Sequence, residues 1–160
     1  MRDYQPHRDD RGFNRGSQQS QHIDDFDPKI NQALTKVEKW LTVKIDSEAI
    51  KFADELGSYL NKNRFTTAQI RKIFGEVKML QQKGWGVNSD TALLLLKPKL
   101  AYSSKRQSSP SASQAANYLK EFLNRGIDVV INSQDQASAF ENFASLFEAI
   151  LAYHRSFGGK

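Results

Sequence analysis

Cysteine is absent from the 160-residue chain, which excludes disulfides and thiolate metal sites and fits a reducing, intracellular setting. Long apolar runs are missing as well. The longest, Ala92 to Leu96, falls far short of the roughly 20 residues that a membrane-spanning helix needs. The first residues lack the basic-then-apolar layout of a secretory signal, so the chain reads as soluble and cytoplasmic, with no membrane partner. Histidine is scarce: His7 and His22 stand early and His154 late, none paired at ligand spacing. No Gly-x-Ser-x-Gly, phosphate loop or dinucleotide glycine fingerprint occurs. Asp24, Asp25 and Asp27 cluster where no scaffold fixes them, and Glu141 and Glu148 share a helix face without a basic or nucleophilic companion. His154 falls on the edge of an apolar stripe and reads as a packed histidine. The expectation is a protein that is not an enzyme, with no cofactor and no metal.

Large apolar groups are also rare before residue 30, where only Met1, Tyr4, Phe13, Ile23 and Phe26 occur. Residues 1–29 mix both charges with Gly, Gln and Ser and show no period, which predicts a disordered polar tail. Its pairs Arg11-Gly12 and Arg15-Gly16 weakly resemble arginine–glycine RNA-binding segments, and a solvated tail is the simpler reading. Beyond Pro28 the apolar spacing is helical. Ile30, Leu34, Val37 and Leu41 with Trp40 form one stripe. Asp46 or Ser47 can cap a second, carrying Ile50, Ala53, Leu56 and Leu60. Three Ser/Thr-x-x-Gln boxes, Thr66–Gln69, Ser111–Gln114 and Ser133–Gln136, mark three further starts. Their stripes are Ile70, Ile73, Phe74, Val77, Leu80; then Ala115, Tyr118, Leu119, Phe122, Leu123; then Phe140, Phe143, Phe147, Ile150, Leu151. Gly84-Trp85-Gly86 makes a turn, and Pro98 predicts a bend near Leu95–Pro98. Only Val129-Val130-Ile131 is β-like. The expectation is an all-α compact bundle of five to six helices, a single domain over residues 30–160.

Acidic residues are nearly lacking from one central segment. Between Thr66 and Pro110 there are eight basic residues (Arg71, Lys72, Lys78, Lys83, Lys97, Lys99, Lys105, Arg106) and two acidic ones (Glu76, Asp90), a balance of +6 where the whole chain carries +5. Concentrated positive charge on a helical scaffold fits a polyanion, nucleic acid first. At helical spacing over residues 66–83, Arg71 and Lys78 lie nearly opposite the Ile73–Val77 stripe, and Lys72 and Lys83 make a second row. If the two helices around the Gly84–Gly86 turn pack antiparallel, Arg71 and Lys72 approach Lys97, Lys99 and Arg106, with Tyr102 able to stack on a base.

Three stretches resemble a known family, the small subunit of type III-A CRISPR effector (Csm) complexes. They are Phe65-Thr66-Thr67-Ala68-Gln69-Ile70-Arg71; Leu96-Lys97-Pro98-Lys99-Leu100-Ala101-Tyr102 followed by Arg106; and Phe147-Glu148-Ala149-Ile150-Leu151-Ala152-Tyr153 with Gly158-Gly159. The resemblance spans about residues 60 to 160. It departs from the family pattern at Lys105, where small residues are usual, and in the length of the tail. It implies a non-catalytic all-α subunit whose copies stack inside a ribonucleoprotein, lining the channel where guide RNA pairs with target RNA. The implied partners are both RNAs, the backbone and large subunits, and further copies of itself, in antiviral defence. By motif match, Thr66, Gln69, Arg71, Lys97, Lys99, Tyr102 and Arg106 form the RNA-facing set; Lys72, Lys78 and Lys105 rest on charge alone. Contacts of this kind go to sugar and phosphate and carry no sequence information. The rival expectation is a helical protein–protein adaptor without direct RNA contact, docking through the phenylalanine stripe of the last helix. A helical DNA-binding protein is weaker, since no helix-turn-helix pattern occurs.

Overall fold

The computed structural model describes residues 25–160, and seven α-helical segments order them: α1 (Asp27–Thr42), α2 (Ser47–Lys62), α3 (Arg71–Lys83), α4 (Ser89–Leu94), α5 (Leu96–Lys105), α6 (Pro110–Asn132) and α7 (Gln136–Ser156). Among the described residues there is no strand, and Val129-Val130-Ile131 is helical, so the all-α expectation holds. The segments α4 and α5 are one rod broken at Leu95, which leaves six rods. The break has a simple cause. Pro98 has no amide hydrogen to donate to the Leu94 carbonyl, and its ring would collide there, so the chain restarts its helix at Leu96.

Helix α1 begins earlier than the apolar spacing predicts. Asp27 occupies its first turn and Pro28 its N1/N2 region, where a missing amide hydrogen costs nothing. Phe26, placed in the tail by its neighbours' polarity, is buried and stacks on Tyr59 at a centroid distance of 4.5 Å. The Tyr118 hydroxyl donates to the Asp27 carboxylate, so Asp27 leaves the supposed acidic cluster for a structural bond. The arginine–glycine pairs, His7, His22 and Asp24 lie outside the described residues.

The core is a four-helix arrangement in which α2 packs on α7, α1 packs on α6 and α7, and α6 packs on α7. Trp40, Leu56, Leu60, Leu119, Leu123, Phe140 and Phe147 are among its fully enclosed side chains. In α2 the buried face is Ala49, Phe52, Ala53, Leu56, Gly57 and Leu60, while Ile50 is 40% exposed; the predicted stripe was displaced by about one position at its start. At Gly57 the backbones of α2 and α7 come so close that a Cβ would lie 2.7 Å from the His154 amide nitrogen. A second tie crosses there, from Asn61 Nδ2 to the Phe157 carbonyl at 2.9 Å.

None of the three predicted boxes forms. Thr66 makes no side-chain cap bond; residues Thr67–Gln69 are a 3-10 turn, and the Thr67 amide donates to the Lys160 backbone oxygen at 2.7 Å. Ser109, one residue before Pro110, caps α6 by accepting from the Ala112 amide at 3.2 Å. Asp135 caps α7 by accepting from the Ser138 amide at 3.1 Å, and Gln136 donates back to the Ile131 carbonyl. The helix starts were found within a few residues, but by the wrong caps. Only Asp46 caps as expected, accepting from the Ala49 amide at 3.0 Å.

Candidate nucleic-acid interface

Helices α3 and α5 lie outside the four-helix core. The first packs against α7, the second against α6, and they touch each other. Gly84 ends α3 with φ +82°, a value that suits glycine, and a short turn reverses the chain into α4. Lys99 on α5 donates to both Glu76 carboxylate oxygens on α3, at 2.7 and 2.9 Å. Lys83 and Ala92 border the far end of the same groove, so α3 and the α4–α5 rod run antiparallel. That register sets the first turn of α3 level with the last turn of α5.

The predicted cations divide into two groups. Lys78 Nζ pairs with Glu148 of α7 at 3.0 Å, Lys97 pairs with Asp128 of α6, and Lys99 pairs with Glu76. Each of these three lysines reaches a carboxylate on a different neighbouring helix. The low acidity of the segment is thus partly compensated by carboxylates that packing brings in from α6 and α7. Glu141 serves the same seam, accepting from Gln81 Nε2 at 2.8 Å.

Arg71, Lys72, Lys105 and Arg106 form the second group. All four are exposed, and among the described residues none has a carboxylate partner. Tyr102 is 62% exposed, and one helical turn later Arg106 donates to its hydroxyl at 2.6 Å while its guanidinium lies 5.3 Å from the ring centroid. The pair is an exposed cation–aromatic group, and an aromatic ring of this kind can stack on a base. Thr66 is exposed; the side chain of Gln69 lies outside what is described.

Charge on the other flank of α3 was not anticipated. Arg155, near the end of α7, borders a cleft shared with Arg71, Thr67 and Glu148. Its place one residue past the buried His154 was the available signal, because a stripe edge at position 154 turns the next residue outward. His154 itself is fully buried. Its Nε2 is 2.9 Å from the Phe65 carbonyl, and Nδ1 has no partner. Burial lowers its pKa from the usual 6.5; the bond to Phe65 opposes this, and the Arg155 charge adds to it. The ring is a neutral strut, as the packed-histidine reading expected.

Two negative findings bound the chemistry. Among the described residues no three His, Asp or Glu side chains gather in a way that could hold a metal ion. No described helix is long and apolar enough to cross a membrane. The phenylalanine stripe of α7 offers no docking face either, since Phe140, Phe143 and Phe147 are buried and only Phe157 is half-open. Exposed apolar side chains lie elsewhere, among them Met79 and Leu95 in the groove between α3 and the α4–α5 rod.

Compared with protein-family models, residues 44–160 match Csm2 Type III-A. No curated protein and no solved structure matches the chain.

Proposed function

The chain belongs to the Csm2 type III-A family, the small subunit of type III-A CRISPR complexes, and from that premise we propose that it is an RNA-binding, non-catalytic subunit lining the channel for guide RNA and target RNA. The observation that carries the RNA reading is the set of unpaired cations, Arg71 and Lys72 on α3 with Lys105 and Arg106 at the end of α5, beside the Tyr102 ring. Antiparallel packing puts the helix turns that carry these four charges at one end of the outer layer. Phosphates spaced along a strand can meet them in turn, and such contacts hold any sequence equally.

The ion-paired Lys78, Lys97 and Lys99 have a different part in this reading: they brace α3 and α5 onto the core and contribute diffuse potential. Assembly with the backbone and large subunits, and with further copies of the chain, belongs to the same proposal, as do a cytoplasmic location and a role in antiviral defence. The Met79–Leu95 groove supplies an apolar face for packing against a neighbouring copy. It also keeps the adaptor reading alive, though on a different surface from the one the sequence suggested.

A binding titration with two unrelated single-stranded RNAs near physiological salt tests the reading. Arg106→Ala and Arg71→Ala should weaken both RNAs alike, and each lost phosphate contact should reduce the salt slope by about 0.7. Unchanged affinity and slope in both variants would refute RNA contact and favour the adaptor. A loss confined to one RNA would refute backbone readout, and preference for duplex DNA in competition would point to the third class.

A further inference from the structure

The cleft between the start of α3 and the end of α7 is a second feature, set apart from the Tyr102–Arg106 pair. Arg71 enters it from one wall and Arg155 from the other, with Thr67 at the head and Phe74, Leu151 and Ala152 as apolar lining. Its volume is about 170 Å³. That is well above the ~10–15 Å³ that one water needs, room enough for a phosphate group. Arg71 Nη2 lies 3.5 Å from Thr67 Oγ1, a long contact that keeps the guanidinium near the cleft without saturating its donors.

One carboxylate, Glu148, also borders the cleft, and it would oppose an anion if left alone. Its Oε2 is taken by Lys78 Nζ at 3.0 Å, and that ammonium lies 5.5 Å from the centroid of the Phe74 ring. The local charge is therefore two arginines plus a neutralised pair. Arginine presents planar paired donors that match two phosphate oxygens, and apolar walls weaken solvent screening of the attraction. The Lys160 backbone oxygen beside Thr67 accepts from the Thr67 amide.

We propose that Arg71 and Arg155 act together as a two-sided clamp on a single phosphate of a bound RNA strand. The inference rests on the RNA-binding reading above and adds a residue and a geometry to it. The strand then passes over the head of α3, held by the clamp on the α7 side and by Lys105, Arg106 and Tyr102 on the α5 side. A clamp of this kind makes the two arginines interdependent, since either alone leaves the phosphate half-held.

Fluorescence anisotropy with a labelled single-stranded oligoribonucleotide tests this on the full chain, using Arg71→Ala, Arg155→Ala, the double variant, and Arg106→Ala as reference. Arg155 is exposed, so its replacement leaves the fold intact, which far-UV circular dichroism verifies. Each single clamp variant should lose about ten-fold in affinity, as expected for one charge-assisted contact. The double variant should lose about twenty-fold, far less than the product of the two. Arg155→Lys, which keeps the charge and loses the fork, should recover only part of the loss. Wild-type affinity in Arg155→Ala, with Arg106→Ala weakened, would overturn the clamp and leave the RNA reading standing. Additive losses would also overturn it, by assigning the arginines to separate phosphates. Wild-type affinity in every variant would overturn both.

Discussion

The same substitution, glycine to alanine in mid-helix, should change stability in opposite directions at two positions of this protein. Gly75 lies inside α3 with nothing within 4 Å of where a Cβ would sit, and it is exposed. Gly75→Ala gains only the reduced freedom of the unfolded chain and better helix propensity, about 0.5–1 kcal/mol. Gly57 lies inside α2 and gains the same amount from propensity. Its new methyl, however, would meet the His154 amide nitrogen and the Tyr153 Cβ at 2.7 Å, and the Tyr153 carbonyl carbon at 3.0 Å. Two of these atoms are backbone of α7, so relief requires moving a helix and not rotating a side chain. Overpacking of this kind costs about 1–3 kcal/mol, and contact with a helix backbone puts it towards the upper end, so the net loss reaches about 2 kcal/mol. For chains of this size each kcal/mol moves Tm by roughly 2–4 °C. Paired urea and thermal melts should therefore show Gly75→Ala raised by a few degrees and Gly57→Ala lowered, at equal m values. A Gly57→Ala protein as stable as the parent would refute the close helix crossing, and a destabilised Gly75→Ala would refute the open face of α3.

Phe26→Ala should cost about 3–5 kcal/mol, since it empties a buried site facing Phe52, Tyr59 and Tyr118; a denaturant midpoint unchanged from the parent would return Phe26 to the tail. His154 makes stability fall under mild acid. Its folded-state pKa is lowered, so below about pH 6.5 the unfolded chain binds a proton that the folded chain refuses, and stability drops until the folded pKa is passed. A His154→Asn variant should show a flatter Tm profile over that window, and parallel profiles would contradict the assignment. Lys97→Ala should lower stability by at most about 1 kcal/mol, because its pair with Asp128 is a partly exposed ion pair. It should also weaken RNA much less than Arg106→Ala, and an equal loss in the binding titration would show that the ion pair opens to receive phosphate.

The fold class was legible because the apolar stripes of α1, α3, α6 and α7 repeat at helical spacing, and Pro98 marked the break at Leu95. The caps were not. Several Ser, Thr and Asp candidates flank each helix start, and the choice among Ser109, Ser111 and their neighbours depends on Pro110 and on tertiary bonds such as Thr67 to Lys160. Phe26 was missed because one aromatic in a polar segment carries no period. Charge was legible as a count but not as a surface. A linear count finds Glu76 and Asp90, whereas Asp128 and Glu148 reach Lys97 and Lys78 only through folding, across helices distant in sequence. The same limit hid Arg155, which joins Arg71 by packing alone.

Helix α2 holds both ends of the described chain: Phe26 leans on its Phe52 and Tyr59, while Asn61 and Gly57 fasten the last turns of α7. Fraying from either extremity therefore runs into the same rod, and neither can peel away as an independent unit without breaking long-range contacts. The molecule is stapled to itself through its second helix. Partial unfolding is left to the outer α3–α5 layer, while the rest opens all together.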